Sequence, residues 1–142
     1  MNTFGGAIPV FRVADVKASR EYYVDILGFK VNWEYSYFVS VSRDRCNIFL
    51  SEGDQGNPGS WIWIGVEDCA ALSEDLRAKG AKIRHPPTNY PWALEMQVED
   101  LDGNVLRIGS DSIKGEPEGH WLDMYGRRSE RLASGESRLI SE

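Results

Sequence analysis

Residues 59–82 read GSWIWIGVEDCAALSEDLRAKGAK. Trp61 to Val66 is a strand pattern of aromatic and β-branched residues. Asp68 is a good N-cap for the helix that follows, and Gly80 is a stop signal. The same unit occurs earlier. Val13-Ala14-Asp15-Val16 opens it and Gly28-Phe29-Lys30 closes it. Val13 to Val66 and Asp15 to Asp68 are both 53 residues apart, whereas Gly28 to Gly80 and Lys30 to Lys82 are both 52 apart. Self-similarity at a nearly fixed offset marks an internal repeat.

Working outward, each copy reads β-α-β-β-β. In the first, Ala7 to Val13 is a strand in which Pro9 lacks a ladder donor, so an edge or an irregular pairing is expected. Asp15 caps a helix carrying Val16, Tyr22, Tyr23, Ile26 and Leu27. Phe29 to Glu34, Tyr37 to Ser42 and Cys46 to Ser51 are strands, the last two joined by a polar turn at Arg43-Asp44-Arg45. Glu52 to Gly59 is a Gly- and Pro-rich loop between the copies. In the second copy Ala81 to Arg84 is a short strand, and His85-Pro86-Pro87-Thr88-Asn89 reads as a loop. Ala93 to Glu99 and Asn104 to Ser110 form a hairpin around Asp100-Leu101-Asp102-Gly103. The expected class is α+β. Residues 1–57 make the first module, 58–111 the second, and 112–142 a polar tail. Trp121, Leu122, Met124 and Tyr125 are candidates to dock that tail, and its last fifteen or so residues are expected to be mobile.

The chain has 142 residues, 42% hydrophobic and 27% charged, the composition of a soluble domain. No signal peptide or membrane-length apolar run is present, and Cys46 and Cys69 show neither metal spacing nor a disulfide framework. A cytoplasmic protein is the expectation. The net charge of −6 argues against nucleic acid and mildly favours a cationic partner. Five Trp, six Tyr and five Phe are an unusual number; a core of this size can use several aromatics, but Trp and Tyr also line ligand sites.

Two βαβββ copies, with Asp15…Tyr22-Tyr23…Leu27-Gly28-Phe29 in one and Glu99-Asp100-Leu101-Asp102-Gly103-Asn104 in the other, resemble the vicinal oxygen chelate superfamily. That group includes glyoxalase I, extradiol dioxygenases, fosfomycin-resistance enzymes and bleomycin-binding proteins. Leu101 stands where the family turn usually has Pro. The resemblance covers about residues 7 to 110. It implies a curved mixed sheet around a concave cleft and, in the metalloenzymes, four His or Glu ligands. Those four positions fall here on Ile8, Phe49, Trp61 and Arg107, none of which ligates a first-row metal. No metal or other cofactor is therefore expected.

Ile8-Pro9-Val10, Arg43-Asp44, Ile48-Phe49-Leu50-Ser51, Trp61-Ile62-Trp63-Ile64, Pro91-Trp92 and Gly103-Asn104 are most similar to the bleomycin-binding resistance proteins. That likeness implies a non-catalytic homodimer, with the first strand exchanged around Pro9 and an antibiotic-type ligand held at the subunit interface. Strand alternation pairs Trp61 with Trp63 and Phe49 with Ser51. The expected cleft has Trp33, Tyr35 and Phe38 as walls and Phe49, Ser51, Trp61 and Trp63 as floor. Trp92 closes it, and Arg107 and Glu52 set its polarity. Glu34, Glu52, Asp54 and Glu95 are the carboxylates that would draw a cationic aromatic compound. The alternative is a metal-independent or atypical enzyme of the same fold, with Glu95, Glu52, His85 and Tyr90 as its acid–base groups. A partner-binding module using Trp121 to Arg131 is a third reading.

Overall fold

A computed structural model describes residues 2–122 and 127–141. The first module is β1 (Val10–Val13), α1 (Val16–Glu21, widening into a π turn over Tyr22–Ile26), β2 (Lys30–Tyr35), β3 (Phe38–Arg43) and β4 (Cys46–Glu52). The second is β5 (Trp61–Gly65), α2 (Cys69–Ala78), β6 (Lys82–Asn89), β7 (Leu94–Glu99) and β8 (Val105–Ser110). Each module forms a mixed four-stranded sheet, ordered β1-β4-β3-β2 and β5-β8-β7-β6, with the first strand parallel to the last. The α+β repeat and its order are as the sequence implies.

The repeat is kept by matched caps. Asp15 accepts from the amides of Lys17 and Ala18, and Asp68 from that of Ala71. Gly28 and Gly80 end the helices at φ of 76° and 89°, a region costly for residues with a Cβ. The drop in offset from 53 to 52 also has a structural cause. Copy one holds one more residue between cap and stop, and α1 absorbs it as the π turn, where the Leu27 amide reaches the Tyr22 carbonyl five residues back.

Both helix-covered faces feed one core. Phe11, Val39, Val41, Ile48 and Leu50 of the first sheet and Met96, Val98, Leu106 and Ile108 of the second belong to a single buried cluster with Tyr23, Leu27, Cys69 and Leu76. The hairpin turn of module two bolts onto module one. Asp100 is buried and accepts from the Asp102 and Asn104 amides, the Asn104 side chain and the Tyr23 hydroxyl (2.8 Å). Asn104 reaches the Arg12 carbonyl, and the Ala14 amide donates to Asp102.

Three sequence expectations are corrected. The first strand begins at Val10, not Ala7. Residues 2–8 are exposed and outside any sheet, Phe4 at 96%, although the Pro9 carbonyl still accepts from Phe49. His85–Asn89 is not a loop but the continuation of β6. This is an edge strand with irregular register on both sides of His85, and bulged edges accept prolines. The tail is ordered where mobility was expected: β9 (Trp121–Leu122), β10 (Arg128–Arg131) and β11 (Ser137–Ser141) form an antiparallel sheet. Met124 and Tyr125 lie outside the described residues. Among those described, no helix is long and apolar enough to cross a membrane.

Tyr23→Phe removes one donor from the buried Asp100 network. It is expected to cost roughly 1–2 kcal/mol, measured as a lower urea midpoint at unchanged slope.

Candidate functional site

The sheet face opposite each helix carries aromatics, by strand alternation. On sheet one Phe38 pairs with Ser51, Ser40 with Phe49, Trp33 with Ser40 and Tyr35 with Phe38, which sets these side chains on one face. Trp33 stacks on Phe38 (5.7 Å between centroids, 7° between planes). It meets Tyr35 at 5.7 Å and Phe49 at 5.3 Å, and Phe49 meets Phe38 edge-on. Trp33 and Tyr35 are 42% and 75% exposed, so the cluster is a platform open to solvent, with buried Ser51 beneath it.

Sheet two is built differently. Glu95 is 4% exposed, and its carboxylate gathers three side chains. Trp63 Nε1 donates to Oε2 at 2.8 Å and Trp92 Nε1 to Oε1 at 3.0 Å. Arg107 donates to Oε1 through Nε (3.0 Å) and Nη2 (2.7 Å). Burial alone would raise the Glu95 pKa. The bonds from Arg107, Trp92 and Trp63 outweigh it and hold the group below the usual carboxylate value, hence ionised at neutral pH. Both indoles remain about half exposed, so the carboxylate fixes them without hiding their faces. Trp63 lies flat on the sheet because Gly65 and Gly109 leave room; a Cβ at Gly109 would stand 2.9 Å from its ring. Trp92 stacks on Tyr90 at 4.9 Å with 2° between planes. Trp61 is half exposed beneath the Arg84 guanidinium, 5.0 Å from its ring centroid.

Nine of the ten residues expected in the cleft therefore lie on two aromatic faces: Trp33, Tyr35, Phe38, Phe49 and Ser51 on one, Trp61, Trp63, Trp92 and Arg107 on the other. One chain does not bring the two faces together. They flank the common core, and no ring of one set touches the other among the described residues. Glu52 is not with them. It lies on the helix side of β4 and accepts from the Val16 amide at the start of α1 (3.0 Å). Glu34 also faces the helix and pairs with Arg20, so it is not a cleft acid. Asp54 lies in the exposed loop, where its carbonyl receives Arg12. Residues not singled out for the site are Gly65 and Gly109, visible only once Trp63 is known to lie flat; Tyr90, named only as an acid–base candidate, is here a stacking partner of Trp92.

An open cavity of about 1570 Å³ runs elsewhere, along the β5 edge between Leu27, Phe29 and Arg43–Asn47 of module one and Ile62, Ile64, Leu72 and Leu76 of module two. Of the aromatic faces only Trp63 and Trp92 reach it. We place the site on the faces, where hydrogen-bonded and stacked side chains converge.

The four family metal positions do not fit a metal. Ile8 lies outside the strand, Phe49 is within an aromatic cluster, Trp61 is under Arg84, and Arg107 is paired with Glu95. Among the described residues no three His, Cys, Asp or Glu converge. Of the acid–base candidates, Glu95 is engaged as above, Glu52 caps α1, and His85 Nδ1 is 3.0 Å from the Pro86 carbonyl. Tyr90 is buried, which raises its pKa.

Residues 7–108 match the Glyoxalase/Bleomycin resistance protein/Dioxygenase superfamily, and the chain belongs to it. A bleomycin-binding protein from Streptomyces verticillus, solved with copper(II)-bleomycin, is 26% identical with a TM-score of 0.67 and is covered in full by 79% of this chain. TnmS3, an antibiotic-binding protein from Streptomyces sp. CB03234, shares the fold (TM-score 0.67, 20% identity, 79% of this chain and 99% of that one). A probable lactoylglutathione lyase of Synechocystis is 28% identical over 123 residues, 74% of this chain and 94% of that protein.

Glu95 stabilises the fold above its unfolded pKa, near 4.3, and that contribution is lost as pH falls through its lowered folded value. The stability gap between wild type and Glu95→Gln is expected to be largest near pH 7 and to shrink below about pH 4, as followed by urea unfolding across that range. Gly109→Val should lift Trp63 from the sheet, read as a shifted Trp emission.

Proposed function

We propose that this chain is a binding protein that holds a planar aromatic compound, of the antibiotic class its relatives bind, between aromatic faces contributed by two copies. The observation that carries this is the pair of indoles fixed by one buried carboxylate, each left about half exposed. A fixed, half-exposed indole presents ring area to a ligand at little ordering cost, and each stacked pair contributes on the order of 0.5–1.5 kcal/mol beyond burial. The second copy is invoked because, among the described residues, no ring of one face meets a ring of the other within a single chain. The exposed arm at residues 2–8, which carries Phe4 and leads into Pro9, suits the exchange of first strands that the resemblance implies.

Charge narrows the ligand. Glu34 and Glu52 face the helix, and Glu95 is occupied by Arg107. Glu99 is paired with Lys82 and approached by Arg84. Among the described residues the aromatic faces thus hold no surplus of negative charge, so a flat ring system is required and a cationic tail is not. The enzyme alternative finds support in the lyase name of one relative, but among the described residues the four metal positions carry no ligand and Glu95 and Glu52 are already engaged, so binding is the reading we favour.

The test is a titration of intrinsic Trp fluorescence with metal-free bleomycin and with planar polycyclic compounds, neutral and carboxylated. Saturable quenching by at least one of them, at one ligand per chain, is expected. Trp63→Ala should weaken it about tenfold, the equivalent of about 1.4 kcal/mol. A flat response to all of them would remove the binding reading.

A further inference from the structure

The segment beyond residue 108 lies outside the family match, yet it is seated on the second aromatic face. Asn89, 9% exposed, holds both ends of its first loop. Its side chain accepts from the Ile113 amide and the Ser112 hydroxyl and donates to the Ile113 carbonyl, and its own carbonyl accepts from Gly119 at 2.6 Å. The Ser112 hydroxyl also lies 2.7 Å from the Tyr90 carbonyl, tying the loop to the strip that carries Trp92. At Gly119 the chain passes so close to β6 that a Cβ would overlap Thr88 Cγ2. Two residues later Trp121 meets Trp92 edge-on, 5.1 Å between centroids at 77°. β9 then continues as the edge of the small sheet, braced by Arg138 and His120 on Glu130 and by Arg131 on Glu118.

We propose that this C-terminal segment is a specificity element of the ligand cleft, with Trp121 extending the wall that Trp92 begins. The inference rests on the binding reading above and deepens it. The Trp121 and Trp92 rings meet at 77°, so the wall is a corner rather than a single plane. A one-ring compound lying on Trp63 leaves that corner unfilled, whereas a ligand of three fused rings extends past Trp92 and meets the Trp121 indole. The segment therefore selects for length of the planar system.

Calorimetric titration of the full chain with a three-ring probe, an anthraquinone carboxylate, and a one-ring probe, benzoate, tests this. In Trp121→Ala the three-ring probe is expected to bind about tenfold more weakly, a loss on the scale of one stacked aromatic. Benzoate should be unchanged, and Trp121→Phe should retain most of the affinity. Gly119→Val, which unseats the segment without touching its aromatics, should reproduce the loss. Thermal melting of each variant checks that the domain remains folded. Equal three-ring binding by wild type, Trp121→Ala and Gly119→Val would overturn the inference and leave the cleft intact. Failure of wild type to bind the three-ring probe would overturn the inference directly, and failure with every planar compound would bring down the cleft reading as well.

Discussion

The buried carboxylate of Glu95 is the constraint on which the second aromatic face depends. An ionised group removed from water is costly unless charge and hydrogen bonds compensate it. Arg107 supplies the charge, and the indole N–H groups of Trp63 and Trp92 supply the remaining donors. The compensation works in both directions. The carboxylate needs its donors, and the donors are thereby locked in orientation. A tryptophan on an open sheet would otherwise sample several rotamers. Here two of them are held at once, at positions close enough for a single side chain to reach.

The two modules reach an aromatic face by different means. Val10 pairs with Phe49 in the first and Trp63 with Arg107 in the second, at equivalent places in the repeat. Module one has apolar partners there and stacks rings on rings. Module two has placed an indole and a guanidinium at the same positions and organises them around an acid. Of these four residues, Phe49 and Arg107 stand at the places that the resemblance gives to metal ligands in the family's metalloenzymes. One scaffold thus carries two different side-chain sets at equivalent positions, and function is argued from such a site rather than from the fold.

Much of this was legible in the sequence because it depends on short-range rules. Asp15, Asp68, Gly28 and Gly80 announced both helices, and the shift in repeat spacing from 53 to 52 held the π turn in plain view. Strand alternation also contained the correct answer for Glu52 and Glu34. If Phe49 and Ser51 share a face, Glu52 takes the other, and the same holds for Glu34 between Trp33 and Tyr35. What could not be read was tertiary. The prolines of β6 are tolerated only because that strand is a bulged edge, and β10 (RSER) has no apolar alternation to announce it. The convergence of Trp63, Trp92 and Arg107 on Glu95 joins residues from three strands and a loop, and no local pattern encodes it.

The proposed cleft is shared between copies, with sheet one of each chain facing sheet two of the other, and mixing variants tests this directly. Trp33→Ala damages only the first face and Trp63→Ala only the second, so each variant alone has two defective clefts per dimer. After unfolding and refolding together in equal amounts, a mixed dimer would hold one cleft lacking both indoles and one that is whole. Random pairing then restores about a quarter of all clefts, measured as tight binding of metal-free bleomycin or of the planar compound found to bind. Recovery of that fraction is the predicted result. No recovery, with both variants folded and dimeric, would contradict a cleft built across two chains.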